Sequence, residues 1–234
     1  MKPAFSIFFA TLLASVTFAA EPAGEYSRVI FSDDFSGEGF GPRWGHYKSS
    51  SVVKNGVLVG ITAPTSDHSA VDNIRIEGES DLEVSVKFRF VSDKAKSFNV
   101  WFDDKNYKGS HAGHICQVSV SPGYVNLSDA KTGAFTLTND LYNRKKLPGG
   151  LTDEDKKMLE SKSKRVPVKL SLEEWHTLVA RTKGEEIEVL VDGKAVGTFK
   201  SEGVAHPSKT LISLTTNPVD VEYDDFSIKA PAKP

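Results

Sequence analysis

Alternation of apolar and polar residues with a period of two dominates the chain, broken at short intervals by turn residues. In "DLEVSVKFRF" (81–90), Leu82, Val84, Val86, Phe88 and Phe90 fall on one side, and Glu83, Ser85, Lys87 and Arg89 on the other. That spacing predicts a strand with one buried and one wet face. "SVVKNGVLVG" (51–60) sets two apolar runs around Asn55-Gly56, a pair that accepts the positive φ angles of a tight hairpin. "SFNVWFDD" (97–104) and "HICQVSVS" (114–121) predict another pair, followed by a turn at Pro122-Gly123. "WHTLVARTKGEEIEVLVDGKAVGTF" (175–199) reads as three strands with turns at Lys183-Gly184 and Asp192-Gly193. "TLISLTT" (210–216) and "VEYDDFSIK" (221–229) complete the series. Many short strands with almost no helical pattern predict an all-β sandwich or barrel.

One segment departs from this pattern. "GGLTDEDKKMLESKSKR" (149–165) has Thr152 as N-cap, acids in the first turn and bases in the last, an order that suits a helix dipole. Its apolar face of Leu151, Met158 and Leu159 is thin, which predicts one short exposed helix on an insertion. Between Arg144 and Arg165, eight Lys or Arg face four acids. Such an excess fits either a solvated helix face or a basic surface for an anionic glycan.

Residues 1–20, "MKPAFSIFFATLLASVTFAA", run from one Lys through an apolar stretch from Phe5 to Phe18 to small residues. This is the order of a secretory signal peptide. The apolar run is short for a membrane span, and no other stretch approaches one, so a chain exported to the periplasm or beyond is expected, without an integral membrane segment after cleavage. Residues 21–230 are then one sandwich domain, and 231–234 a short Pro-containing tail. The formal net charge of −2 gives no reason to expect nucleic acid as partner. Cys116 is the only cysteine, so no disulfide forms within the chain and the core alone must hold the fold. Lying on the apolar side of its strand, it reads as a buried, inert thiol.

Several segments together resemble a known group. "FSDDFSG…RWGHY", "NGVLVG", "DHSAVDNIRI", "LEVSVKFRF", "GHICQVSVSPGYV", "EEWHTLVARTKGEEIEVLVDGKAVGTF", "AHPSK" and "VEYDDFSI" occur in an order similar to the 3-keto-disaccharide hydrolase-type domains, which are concanavalin-like, LamG-like jelly rolls. Exported copies are numerous in planctomycete-like bacteria. The resemblance covers most of residues 29–229 and implies a jelly-roll β-sandwich of two antiparallel sheets that acts on, or binds, a saccharide or glycoside. Three functions are compatible with it: glycoside cleavage of the 3-keto-disaccharide type, non-catalytic carbohydrate binding, and contact with another protein at the cell surface. Fold alone does not choose between them.

Candidate chemistry falls into three sets. The first is acidic: "VEYDDFSIKAP" (221–231) echoes "IFSDDFSGE" (30–38). In a strand Glu222, Asp224 and Phe226 share one face, while Asp225 points to the other. Retaining glycosidases use two carboxyls ~5–5.5 Å apart, but a third carboxylate on this strand is missing. The segments also lie where sandwiches of this type have their neighbouring last and first strands, so the acids read as architecture. The second set is histidine: His68 in "SDHSA", His114 in "GHICQV" and His206 in "AHPSK" lie in segments typical of the family, and His111 precedes His114 in "HAGH". Residues i and i+3 of a strand face opposite ways, so this pair is a weak metal signal. A distant grouping of His68, His114 and Asp103 around a divalent metal stays open. His68, His114 and Asp103 are the acid/base candidates, because imidazole is the side chain most readily poised near neutral pH. The third set is on "SFNVWFDD": Phe98, Val100 and Phe102 face the core, while Asn99, Trp101 and Asp103 face away. With Gln117 and Ser119 on the paired strand they form a polar, aromatic-lined face suited to a sugar, with Trp101, Asn99 and Gln117 as substrate contacts. The competing expectation is that Trp101 packs beneath the insertion. Trp175 is expected in the core and Trp44 as a plug at the sandwich end, with His46 and His176 as their neighbours.

Overall fold

The computed structural model describes residues 25–217 and 220–233, so the leader segment 1–20 lies outside the described residues. The chain forms two antiparallel sheets packed face to face. The first orders β13 (Lys194–Lys200), β12 (Glu186–Val191), β11 (His176–Lys183), β6 (Leu82–Phe90), β15 (Val221–Ala230), β4 (Val57–Gly60) and β3 (Val52–Lys54). β1 (Arg28–Asp33) also pairs with β15, so the first and last strands are neighbours, as the echoed acidic segments suggested. The second sheet orders β10 (Ser163–Pro167), β9 (Tyr124–Asp129), β8 (His114–Val120), β7 (Phe98–Asp103), β14 (Lys209–Thr216), β5 (Ala70–Glu79) and β2 (Trp44–Tyr47).

The alternation of "LEVSVKFRF" is realised: Leu82, Val84, Val86, Phe88 and Phe90 are all fully buried. They meet Phe98, Val100 and Phe102 of β7 and Cys116, Val118 and Val120 of β8 in one continuous core. Burial pushes the Cys116 thiol up to about 12, which keeps it protonated and inert. The hairpin at Asn55-Gly56 uses positive φ at both residues, 55° and 76°, as the sequence required. Asp192-Gly193 does the same with 50° and 72°.

Four expectations change. After a single turn α1 at Leu141–Arg144, the helix α2 spans Asp153–Ser161, with Thr152 and Asp155 forming a capping box. It stops short of 165 because residues 163–167 pair one for one with β9, where the sheet satisfies their backbone groups. Its last turn therefore carries no basic residue. On β15 the register slips between Asp224 and Ser227, with Asp225 at φ 45°. This bulge moves Phe226 to the buried side with Tyr223, so Asp224 and Phe226 do not share a face. Trp175 is 38% exposed, with the Arg89 guanidinium 4.8 Å from its ring, and is not core. Trp44 does close the sandwich end, packed on Phe31 and Phe226 with its indole N–H donating to Asp33 at 2.8 Å.

Candidate active site

The register places two polar rows on the outer face of the second sheet. Asn73, Ser213, Trp101, Gln117 and Ser128 lie side by side across five strands. The next row is Thr215, Asn99, Ser119 and Asn126. The intervening residues Val100, Val118, Leu127 and Leu214 face the core, so these polar groups face outward. Asn99, Trp101 and Gln117 thus share the face that the sequence assigned to them.

At one end of the rows the β7–β8 register shifts between Phe102 and Asp103, leaving Ile115 as the extra residue. The bulge sets His114 opposite Asp103, and the His114 Nδ1 lies 2.7 Å from Asp103 Oδ1. Asp103 is almost wholly buried; burial raises its carboxyl above the usual range and the His114 hydrogen bond pulls it back. With the carboxylate accepting from Nδ1–H, the Nε2 lone pair is left free, and this atom makes no hydrogen bond among the described residues. The His114 side chain remains 19% exposed.

The turn before β8 brings in a residue the strand argument dismissed. Ala112 and Gly113 take positive φ, 55° and 76°, and Asp104 N–H donates to the Gly113 carbonyl at 2.8 Å. A Cβ on Gly113 would meet the Asp104 carbonyl oxygen at 2.1 Å, so only glycine allows this docking. "HAGH" is therefore a turn rather than a strand, and the rings of His111 and His114 lie 6.1 Å apart instead of on opposite faces.

The segment 131–146 forms a wall over this end. His111 N–H donates to Phe135 O at 2.8 Å and Leu137 N–H to Gly109 O at 3.0 Å, which ties the wall to the histidine turn. The Phe135 ring lies 5.2 Å from Trp101 and 4.8 Å from His114, and Tyr142 stacks on His111 at 4.0 Å and 12°. Trp101 itself touches His114 at 4.2 Å and is only 8% exposed. It is thus a covered floor of the site rather than an open plate. The helix α2 is not what covers it; Phe135 and His114 are. Phe135 and Tyr142 escaped the sequence reading because their contacts span a loop with no period.

His68 sits on the exposed loop after β4, its Nδ1 bonded to the Ser69 carbonyl at 2.6 Å and its ring 5.3 Å from Tyr47. It does not touch Asp103 or His114 directly; the His111 pKa is held down by burial first, with His114, Lys146, Lys145 and His68 adding to that. The remaining histidines bind carboxylates: His46 to Asp72, His176 to Asp192 and His206 to Asp104. Among the described residues no three His, Cys, Asp or Glu side chains gather to hold a metal ion, so the grouping of His68, His114 and Asp103 around one is not formed. The acidic echoes are structural. Glu222 pairs with Arg89 and Asp225 with Lys87. Asp33 and Asp34 accept backbone N–H bonds two residues on. They line a depression of about 500 Å³ at the β1–β15 pair, in the other sheet from His114.

Asp104, next in sequence to Asp103, carries a parallel arrangement. Its carboxylate accepts from His206 Nε2 at 3.0 Å, Asn106 N–H at 2.9 Å and Thr210 Oγ at 3.1 Å. Burial holds the His206 imidazole below its ordinary range, outweighing the Asp104 bond that raises it. The unfolded chain then binds the histidine proton at higher pH than the folded chain. Stability is expected to fall as pH drops through the ordinary histidine value near ~6.5. For Asp104, burial raises the carboxyl, but its hydrogen bonds leave it below the usual range, so further stability is lost in acid. Thermal melts at about pH 7.5 and 5.5 should show a smaller gap in His206→Asn than in the parent protein, and an equal gap would remove His206 from the account.

A family model of the 3-keto-alpha-glucoside-1,2-lyase-like domain matches residues 28–229. The chain belongs to that family. Solved structures similar to this lyase-like domain share its sandwich at low identity. A laminarinase from Rhodothermus marinus is 12% identical with a TM-score of 0.60, over 88% of this chain and 98% of that one. A sialidase is 14% identical with a TM-score of 0.60; the lyase-like domain aligns over 86% of itself but spans just 18% of that longer protein. A carbohydrate-binding module from Bacillus subtilis is 10% identical with a TM-score of 0.50, over 80% and 96% of the two chains. These neighbours establish the concanavalin-like jelly-roll fold of the lyase-like domain. No curated protein matches it in sequence.

Proposed function

We propose that this domain is an exported enzyme that cleaves 3-keto-glycosides by elimination, with His114 as the base. The observation that carries the reading is the His114–Asp103 pair: one ring nitrogen is held by a buried carboxylate and the other is free above a polar sheet face. A 3-oxo group acidifies the neighbouring C2 proton of a sugar. His114 Nε2 takes that proton, and the C2–H electron pair becomes a C1=C2 double bond. The C1–O bond breaks with its pair on the leaving oxygen, which then takes up a proton. Nothing is oxidised or reduced, and no second carboxylate is needed. Asn99 and Gln117 offer amides to the ring hydroxyls, Trp101 supports His114 from below, and His68 is the candidate that returns a proton to the leaving group.

The alternative, a carbohydrate-binding module without catalysis, keeps the same face and drops the proton transfer. The part-exposed polar residues Asn73, Gln117, Asn99, Ser119 and Asn126 favour it as a surface for hydroxyls. The deciding experiment is a cleavage assay on 3-keto-disaccharides and their unoxidised parents, with and without a divalent cation. Release of an unsaturated keto sugar from the oxidised substrates alone supports elimination. Binding without turnover supports the module, and inactivity with no binding turns attention to a protein partner.

A further inference from the structure

The wall over the His114 site has an uncompensated charge. Burial opposes a proton on His111 first, and His114, Lys146, Lys145 and His68 around it add to that. The Lys146 Nζ lies 3.7 Å from the centre of the Tyr142 ring, and the Lys145 Nζ 5.0 Å from the same ring and 4.3 Å from Phe135. The Lys145 ammonium donates to the Ala134 carbonyl, but neither lysine has an acidic partner among the described residues, although acids lie close in sequence. Those acids are engaged elsewhere: Asp140 accepts from Asn143, Asp155 from Arg144 and Asp153 from Lys156. Asp103, which lies beside this cluster, is buried and turned to His114.

Contact with an aromatic face explains where an ammonium rests. It does not offset the repulsion between the Lys145 and Lys146 ammonium groups, which share one tyrosine ring. A bound anion would relieve that repulsion and draw on all three groups as donors.

We propose that Lys145, Lys146 and His111 form a subsite for an anionic substituent, a carboxylate or a sulfate ester, on the leaving residue of the glycoside. The inference rests on the reading of this face as a glycoside site and deepens it, making acidic glycosides the preferred class. With the keto sugar over Asn99 and Gln117 so that His114 reaches its C2, the leaving residue lies against the wall.

Calorimetric binding tests this with three unoxidised disaccharides, which cannot eliminate. They share a non-reducing glucosyl residue and differ in the reducing residue: glucose, glucuronic acid or glucose 6-sulfate. The acidic probes are expected to bind on the order of tenfold more tightly than the neutral one. That gain should shrink in Lys146→Gln, an exposed position that leaves the fold intact, and at raised salt. A gain with the carboxylate alone identifies a uronic acid, and a gain with both identifies charge as the recognised feature. Equal affinity for all three, no binding by any, or a gain untouched by both Lys145→Gln and Lys146→Gln overturns the subsite. Because these probes do not turn over, the outcome stands whether or not elimination of keto sugars is observed.

Discussion

His114→Ala is expected to lower kcat on a 3-keto-disaccharide by roughly 10²–10⁴-fold, the range for loss of a positioned base. The variant should remain folded, because the His114 ring is partly exposed and its backbone anchor, the Ser110 hydroxyl on the His114 carbonyl, survives the change. Asp103→Asn tests the same pair through its buried partner. An asparagine can present its amide nitrogen to Nδ1 and force the proton onto Nε2, which removes the free lone pair. A loss of about 10²-fold in kcat with little change in KM is expected. If both variants retain activity within a few fold of the parent, His114 is a packing residue and the base lies elsewhere.

Asp129→Ala is expected to destabilise the domain by about 3–5 kcal/mol, in the range for breaking a buried charged network. Asp129 is 1% exposed and accepts four hydrogen bonds, from Thr132 N–H at 2.9 Å, Thr132 Oγ at 2.5 Å, Ser201 Oγ at 2.5 Å and Gly203 N–H at 3.1 Å. Removing the carboxylate strands these donors in the interior. For a chain of this size the melting temperature should fall by about 6–20 °C. Gly203→Ala should act in the same direction, since its Cβ would meet the Asp129 carboxylate at 2.1 Å. Because Asp129 roots the segment that carries Phe135, a fraction of the Asp129→Ala protein that stays folded should also show red-shifted Trp101 emission. A melting temperature within two or three degrees of the parent would mean that solvent satisfies these donors after all.

The fold was legible because its buried strands repeat the simplest period. Leu82 to Phe90 and Phe98 to Phe102 each announce an inner face, and the two Asx-Gly turns fix their hairpins. β5 and β9 carry polar residues such as Asn73, Asn126 and Ser128 on their outer faces and fewer large apolar ones, so the periodic signal does not single them out. The candidate site was half legible. Asn99, Trp101, Asp103 and Gln117 follow from strand parity alone. The pairing of Asp103 with His114 depends on a bulge, and the slip on β15 moved Phe226 for the same reason: one inserted residue reverses parity without leaving a mark in composition. His111, Phe135 and Tyr142 meet through two loops, where no period exists to read. Trp175 misled because an aromatic at a strand start suits either face, and Arg89 offers it a partner outside the core.

The wall over His114 leaves the sheet at Asp129 and returns at Ser163, and these points are adjacent: Ser128 pairs with Ser163, and Asp129 N–H donates to Lys162 O at 2.9 Å. A segment whose ends already touch behaves as a cassette. Exchanging it costs the framework little, because the entropy of closing a loop grows by only about 0.6 kcal/mol for each doubling of its length. The His114–Asp103 pair on β7 and β8 stays in the sheet, while Lys145, Lys146 and Tyr142 travel with the cassette. Grafting residues 130–162 from one relative to another is therefore expected to replace the wall while leaving the His114–Asp103 pair in place.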